Sequence, residues 1–154
     1  MTSSTDSDDV YLAYVNKQRA FIEKDVQMLG ISLNYNPNMS TVIKTHELKR
    51  LQGRMYSTES DEPFREVHMD WPVEKPLNHV TLSEELQVLV AETTIDDWDP
   101  LEEYGDVWDA VEAAARDTPR IFLREEKTRT LYWIVGLRKS KHRLVGVWTL
   151  AIDT

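Results

Sequence analysis

Apolar positions along this chain recur first with a helical period and later with a strand period. Over residues 10–29 the apolar side chains Tyr11, Tyr14, Val15, Ile22, Val26 and Leu29 fall at spacings of three, four and seven, which gathers them on one face of a helix. Gly30 is placed to end it. Residues 1–9, MTSSTDSDD, are small, polar and acidic and predict disorder. Residues 34–38, NYNPN, read as a turn-rich linker. A second helix is predicted over residues 40–53, with Ser40 as its N-cap.

The period then changes. In residues 64–71, Val67, Met69 and Trp71 alternate with polar neighbours, as a half-buried strand requires. Residues 59–63, ESDEP, form an acidic loop before it, and residues 75–79, with Pro76, a loop after it. A helix is predicted from Ser83 to about Glu92 on Leu86, Leu89 and Val90, and another over residues 106–116 on Val107, Val111 and Ala114, stopped by Thr118-Pro119. Three strands follow, residues 120–125, 130–137 and 143–152, joined by short polar turns that favour an antiparallel meander. The last two are apolar on both alternating faces, and such strands need cover on both sides. The predicted architecture is therefore α+β: a three-layer α-β-α sandwich with a largely antiparallel sheet and an extra N-terminal helix. Residues 1–39 are expected to be an extension and residues 40–154 the domain proper.

Charge narrows the function. Asp and Glu number 27 against 18 Lys and Arg, a formal charge of −9, which repels nucleic-acid phosphates and suits a partner with a basic groove. Direct nucleic-acid binding is not expected. No apolar run approaches the roughly eighteen residues that span a bilayer, and the start lacks the basic and apolar regions of a secretory signal. With no cysteine, disulfides are excluded. The expected location is intracellular, in the cytoplasm, by elimination.

Catalytic chemistry is scarce. The four histidines, His46, His68, His79 and His142, include no pair at zinc-ligand spacing. His68 and Asp70 share a strand face, an arrangement that is usually a solvated contact. Asp96, Asp97, Asp99, Glu102 and Glu103 resemble a calcium loop, but Gly105 comes too late for the turn such a loop needs. There is no nucleophile elbow, no phosphate-cradling glycine loop, and any carboxylate pair chosen from so many acids carries little weight. The basic turn 138–143, RKSKHR, reads as a solvated hairpin tip. Trp133 and Trp148 lie mid-strand and are expected in the core. Neither enzymatic activity nor a cofactor is predicted.

Three features remain for a binding role: the loop around Glu59, the acidic loop 93–103 with Trp98 between Asp97 and Asp99, and the strand that runs to Thr154. Trp98 suits either an interface anchor or a loop side chain folded back onto the core. The last strand is expected to deliver the hydroxyl and α-carboxylate of Thr154 close to a packed element.

The helix STVIKTHELKRLQG (40–53), the loops STESDEPF (57–64) and TTIDDW (93–98), and the end LVGVWTLAIDT (144–154) together resemble the nuclease A inhibitor family over about three quarters of the chain. Members of that family block a sugar-nonspecific, magnesium-dependent DNA/RNA endonuclease. The resemblance implies an α-β-α sandwich and a protein partner. It also implies that Thr154 enters the nuclease's metal site and that Glu59, Asp97 and Trp98 make interface contacts. Asp96 stands where the family has an amide, which places a charge at a contact. The alternative is a non-inhibitory adaptor of the same fold that uses the N-terminal helix as its partner surface.

Overall fold

The computed structural model describes residues 41–152. The helix predicted over 10–29, the disorder predicted for 1–9, the predicted linker 34–38, Ser40 and Thr154 lie outside them.

Strands β1 (Met55–Ser57) and β2 (Asp61–Pro63) form an antiparallel hairpin. The main sheet has five strands, β3 (Arg65–Asp70), β4 (Ala91–Thr93), β5 (Arg120–Glu125), β6 (Arg129–Arg138) and β7 (Arg143–Ile152), in the order β3-β7-β6-β5-β4. Every pairing among these strands is antiparallel. The helices are α1 (His79–Leu86), the single turn α2 (Ile95–Trp98) and α3 (Gly105–Ala115), with a 3₁₀ helix at His46–Leu51. The fold is thus mixed α/β with a mostly antiparallel sheet, and the meander β5-β6-β7 is present at the predicted positions.

Alternation along β6 and β7 separates two apolar clusters. Leu131, Trp133 and Val135 with Leu144, Trp148 and Leu150 face one side, where Leu82 and Leu86 of α1 join them. Ile134 with Val145, Val147 and Ala151 face the other, against Leu48 and Leu51 of the 3₁₀ helix and Val107, Ala110, Val111 and Ala114 of α3. Trp133 and Trp148 are direct cross-strand partners at the centre and fully buried, as expected. Burial of each large apolar side chain contributes roughly 1.5–3 kcal/mol. Two glycines set the spacing. A Cβ at Gly136 would lie 2.6 Å from Ala115 Cβ, so the bare backbone lets α3 rest on β6. A Cβ at Gly146 would lie 2.1 Å from the Ile134 carbonyl oxygen.

Four sequence expectations are corrected. The helix over 40–53 reduces to the 3₁₀ turn because side chains capture the preceding backbone. Glu66 accepts from the Lys44 and Thr45 amides at 2.8 and 3.1 Å. Gln52 accepts from the Ile43 amide at 2.8 Å and donates to the Thr41 carbonyl at 2.9 Å. The acidic segment 59–63 is not all loop, since Asp61–Pro63 pairs with Met55–Ser57. The helix expected at Ser83 starts at His79, inside the predicted loop, because Asn78 accepts from the Val80 and Thr81 amides, each at 2.9 Å, and Thr81 reaches back to the Asn78 amide. It stops at Gln87, whose φ is 56°. Residues 93–103 are likewise structured, containing the end of β4 and the turn α2.

Candidate functional site

The site is built on rings. Tyr56 of β1 stacks on Trp98 of α2 with centroids 5.4 Å apart and planes 16° from parallel. Tyr104 lies 4.9 Å from Tyr56 and 5.5 Å from Trp98, and Phe64 meets Trp98 edge-on at 6.4 Å. Such geometries add about 0.5–1.5 kcal/mol per pair beyond area burial. The Tyr56 hydroxyl donates to the Trp98 carbonyl at 3.0 Å, and the Ser57 amide donates to the Tyr104 hydroxyl at 2.9 Å. Of the two readings open for Trp98, an interface anchor or a side chain folded back onto the core, its burial matches the second: it is only 2% exposed. The burial has a simple cause: Tyr56 and Phe64 converge on Trp98 and Tyr104, and packing among these rings outweighs the acidic context.

Acidic side chains crown this platform. Thr94 caps α2 by accepting from the Asp97 amide at 3.2 Å, and Asp96 and Asp97 occupy its first turn, both exposed. Glu59 is exposed in the β1–β2 turn. Asp61, two residues on, accepts from the Ser57 hydroxyl at 2.7 Å. The hairpin is fastened to β7 at two points: the Thr149 hydroxyl donates to the Pro63 carbonyl at 3.1 Å, and the Ile152 amide donates to the Thr58 hydroxyl at 3.2 Å. The Glu59 turn therefore sits beside the last described residue of β7. Through Tyr56 the same hairpin is coupled to the Asp96–Trp98 turn. The structure joins these three elements. Thr154, two residues further on, is outside the described residues.

Sequence reasoning missed Arg54 and Tyr56 as contributors and named Asp99 only as one acid of a calcium-like loop. Asp99 is buried and accepts from the Glu103 and Tyr104 amides, each at 2.8 Å. Both carboxylate oxygens are so engaged, and they hold the loop that enters α3. The Asp99-Pro100 dipeptide, a turn initiator, was the available signal. Arg54 grips Asp106 with two bonds of 3.0 and 3.2 Å, donates to the Glu103 carbonyl at 2.8 Å and lies 4.7 Å over the Tyr104 ring. The hydrogen bond from Arg54 holds the Asp106 carboxyl below its ordinary value, and Asp106 in turn raises Arg54. Tyr56 gave no local signal, because its partners lie 42 and 48 residues away.

Other candidates resolve differently. The Arg143 guanidinium contacts His68 Nδ1 and lies 3.6 Å from Asp70, so both members of that pair face an arginine. Among the described residues no group of three or more His, Cys, Asp or Glu side chains is arranged to hold a metal ion. No described helix is long and apolar enough to cross a membrane.

Fold and site together define a small mixed α/β protein that holds acidic turns on a preformed aromatic platform. A family model for NuiA-like proteins matches residues 6–152, nearly the whole chain, and the chain belongs to that family. No curated protein matches it.

Proposed function

We propose that this protein inhibits a sugar-nonspecific, magnesium-dependent DNA/RNA endonuclease by occluding its active site, and that it binds rather than catalyses. The observation that carries the reading is the junction of the Glu59 hairpin, the Asp96–Trp98 turn and the end of β7 in a member of the NuiA-like family. A three-layer α-β-α arrangement belongs to the same proposal, supported by apolar clusters that include α1 on one face of the sheet and α3 on the other.

In this mechanism Glu59, Asp96 and Asp97 stand in for substrate phosphates toward basic residues of the nuclease groove. Thr154 supplies an oxygen to the nuclease's magnesium, an ion that retains exchangeable waters because few protein groups hold it. The magnesium belongs to the partner. Trp98 acts from beneath, fixing the turn that presents the two aspartates.

The test uses the untagged full chain against such a nuclease. Deleting Thr154, or changing Glu59→Ala, is expected to weaken inhibition about tenfold or more, equivalent to about 1.4 kcal/mol. Unchanged inhibition in both variants overturns the proposed mode, and absence of binding to any nuclease of this class overturns the function. Partner capture abolished by removing residues 1–39 and untouched by the other two changes would favour the adaptor.

A further inference from the structure

An apolar groove lies beside α1, at the edge of the sheet remote from β3. It encloses about 560 Å³ between Val80, Ser83, Glu84, Gln87 and Leu89. Leu89 is 64% exposed and Val80 52% exposed, the two large apolar side chains at its mouth. Among the described residues the adjoining strand β4 pairs only with β5 and forms the end of the sheet. An unpaired edge with exposed apolar side chains beside it is normally covered by something.

We propose that the amphipathic segment 10–29 of this same chain covers it, lying as a helix in the groove with its apolar stripe inward. The first support is chemical. Val15, Arg19, Ile22 and Val26 follow one another at spacings of four, three and four, so the stripe of apolar residues carries one cation within it. The groove offers the matching pattern, Val80 and Leu89 with Glu84, which is exposed and has no ion pair among the described residues. The second support is that the family match spans residues 6–152 and so takes in the segment together with the sheet. Reach is the third. The described chain begins at Thr41, and Lys44, three residues on, is tethered to Glu66 of β3. Residues 29–41 span up to about 40 Å when extended, whereas crossing five strands and changing face takes about 30 Å.

The occupied groove would bury the stripe that an adaptor would have used to recruit a partner. This inference does not depend on nuclease inhibition.

Because the chain has no native cysteine, a single His79→Cys substitution at the groove rim allows one spin label on the full-length protein. Paramagnetic broadening of the amide signals of residues 11–29 is then read by NMR. The expected result is loss of those signals at every protein concentration, and their recovery when Leu89→Glu or Arg19→Glu is added. Signals left intact in the labelled protein overturn the proposal. Broadening seen only between labelled and unlabelled copies also overturns it and identifies a second molecule as the occupant.

Discussion

Under the proposed function, burial of Trp98 changes which side chain near Asp96 and Asp97 would meet the partner. Leu101, three residues on, is 75% exposed and is the most exposed large apolar residue described. If the acidic turns dock in a groove, Leu101 supplies the apolar contact and Trp98 the foundation. Leu101→Asp is therefore expected to accelerate dissociation from the nuclease with the unfolding midpoint unchanged, measured by surface binding kinetics and urea denaturation. Tyr56→Phe should do the opposite. It removes the hydroxyl bond to the Trp98 carbonyl while keeping the ring stack, and should cost about 0.5–1.5 kcal/mol of stability. Asp106 gives a pH test. Its carboxyl is held below the ordinary value of 3.8 by Arg54, so the unfolded chain takes up this proton first. The contribution is present above that value and disappears as pH falls through it to the lower folded-state value. The urea midpoint of the native protein should consequently drop more steeply below about pH 4 than that of Asp106→Asn. Parallel curves would remove the pair from the account.

At the level of elements, the strands of the meander were legible because their apolar residues repeat over six to ten positions with core on both sides. Shorter elements were not. The hairpin β1–β2 has three residues per strand, too few for a period, and it exists through Tyr56, Phe64 and the bonds to β7. The start of α1 was misplaced because Ser83 looks like a cap, whereas its hydroxyl accepts from the Val90 amide at 3.0 Å and secures the approach to β4. Glu59, Asp96 and Asp97 were identifiable as exposed acids. The platform beneath them was not, since no local pattern links residue 56 to residues 98 and 104. The glycines of the sheet test how tightly elements are set. Gly136→Ala forces α3 away from β6 and should cost about 1–3 kcal/mol, the usual range for overpacking. Gly146→Ala is expected to cost more, because the new methyl meets the Ile134 carbonyl and Val135 Cα of the neighbouring strand, and backbone yields less than a side chain. Thermal unfolding of the two variants gives the order, and equal losses would contradict this placement of β6 against β7.

For the whole molecule the governing quantity is the formal charge of −9. Such a charge steers encounter with a basic groove over distances set by the Debye length, about 10 Å at 0.1 M salt and about 3 Å at 1 M. Contacts already formed and desolvated are screened much less. The two rate constants should therefore respond differently. Raising salt from about 0.05 to about 0.5 M should slow association with the nuclease by roughly ten- to a hundredfold and leave dissociation nearly constant. Removing an exposed acid outside the platform turns, such as Glu112 on α3, should reduce the association rate slightly. Glu59→Ala or deletion of Thr154 should act mainly on dissociation, because those groups are proposed to be enclosed in the complex. A salt-insensitive association rate would mean that the acidic surface serves solubility alone. Equal effects of Glu112→Ala and Glu59→Ala on dissociation would mean that net charge, rather than the turns on the aromatic platform, determines the lifetime of the complex.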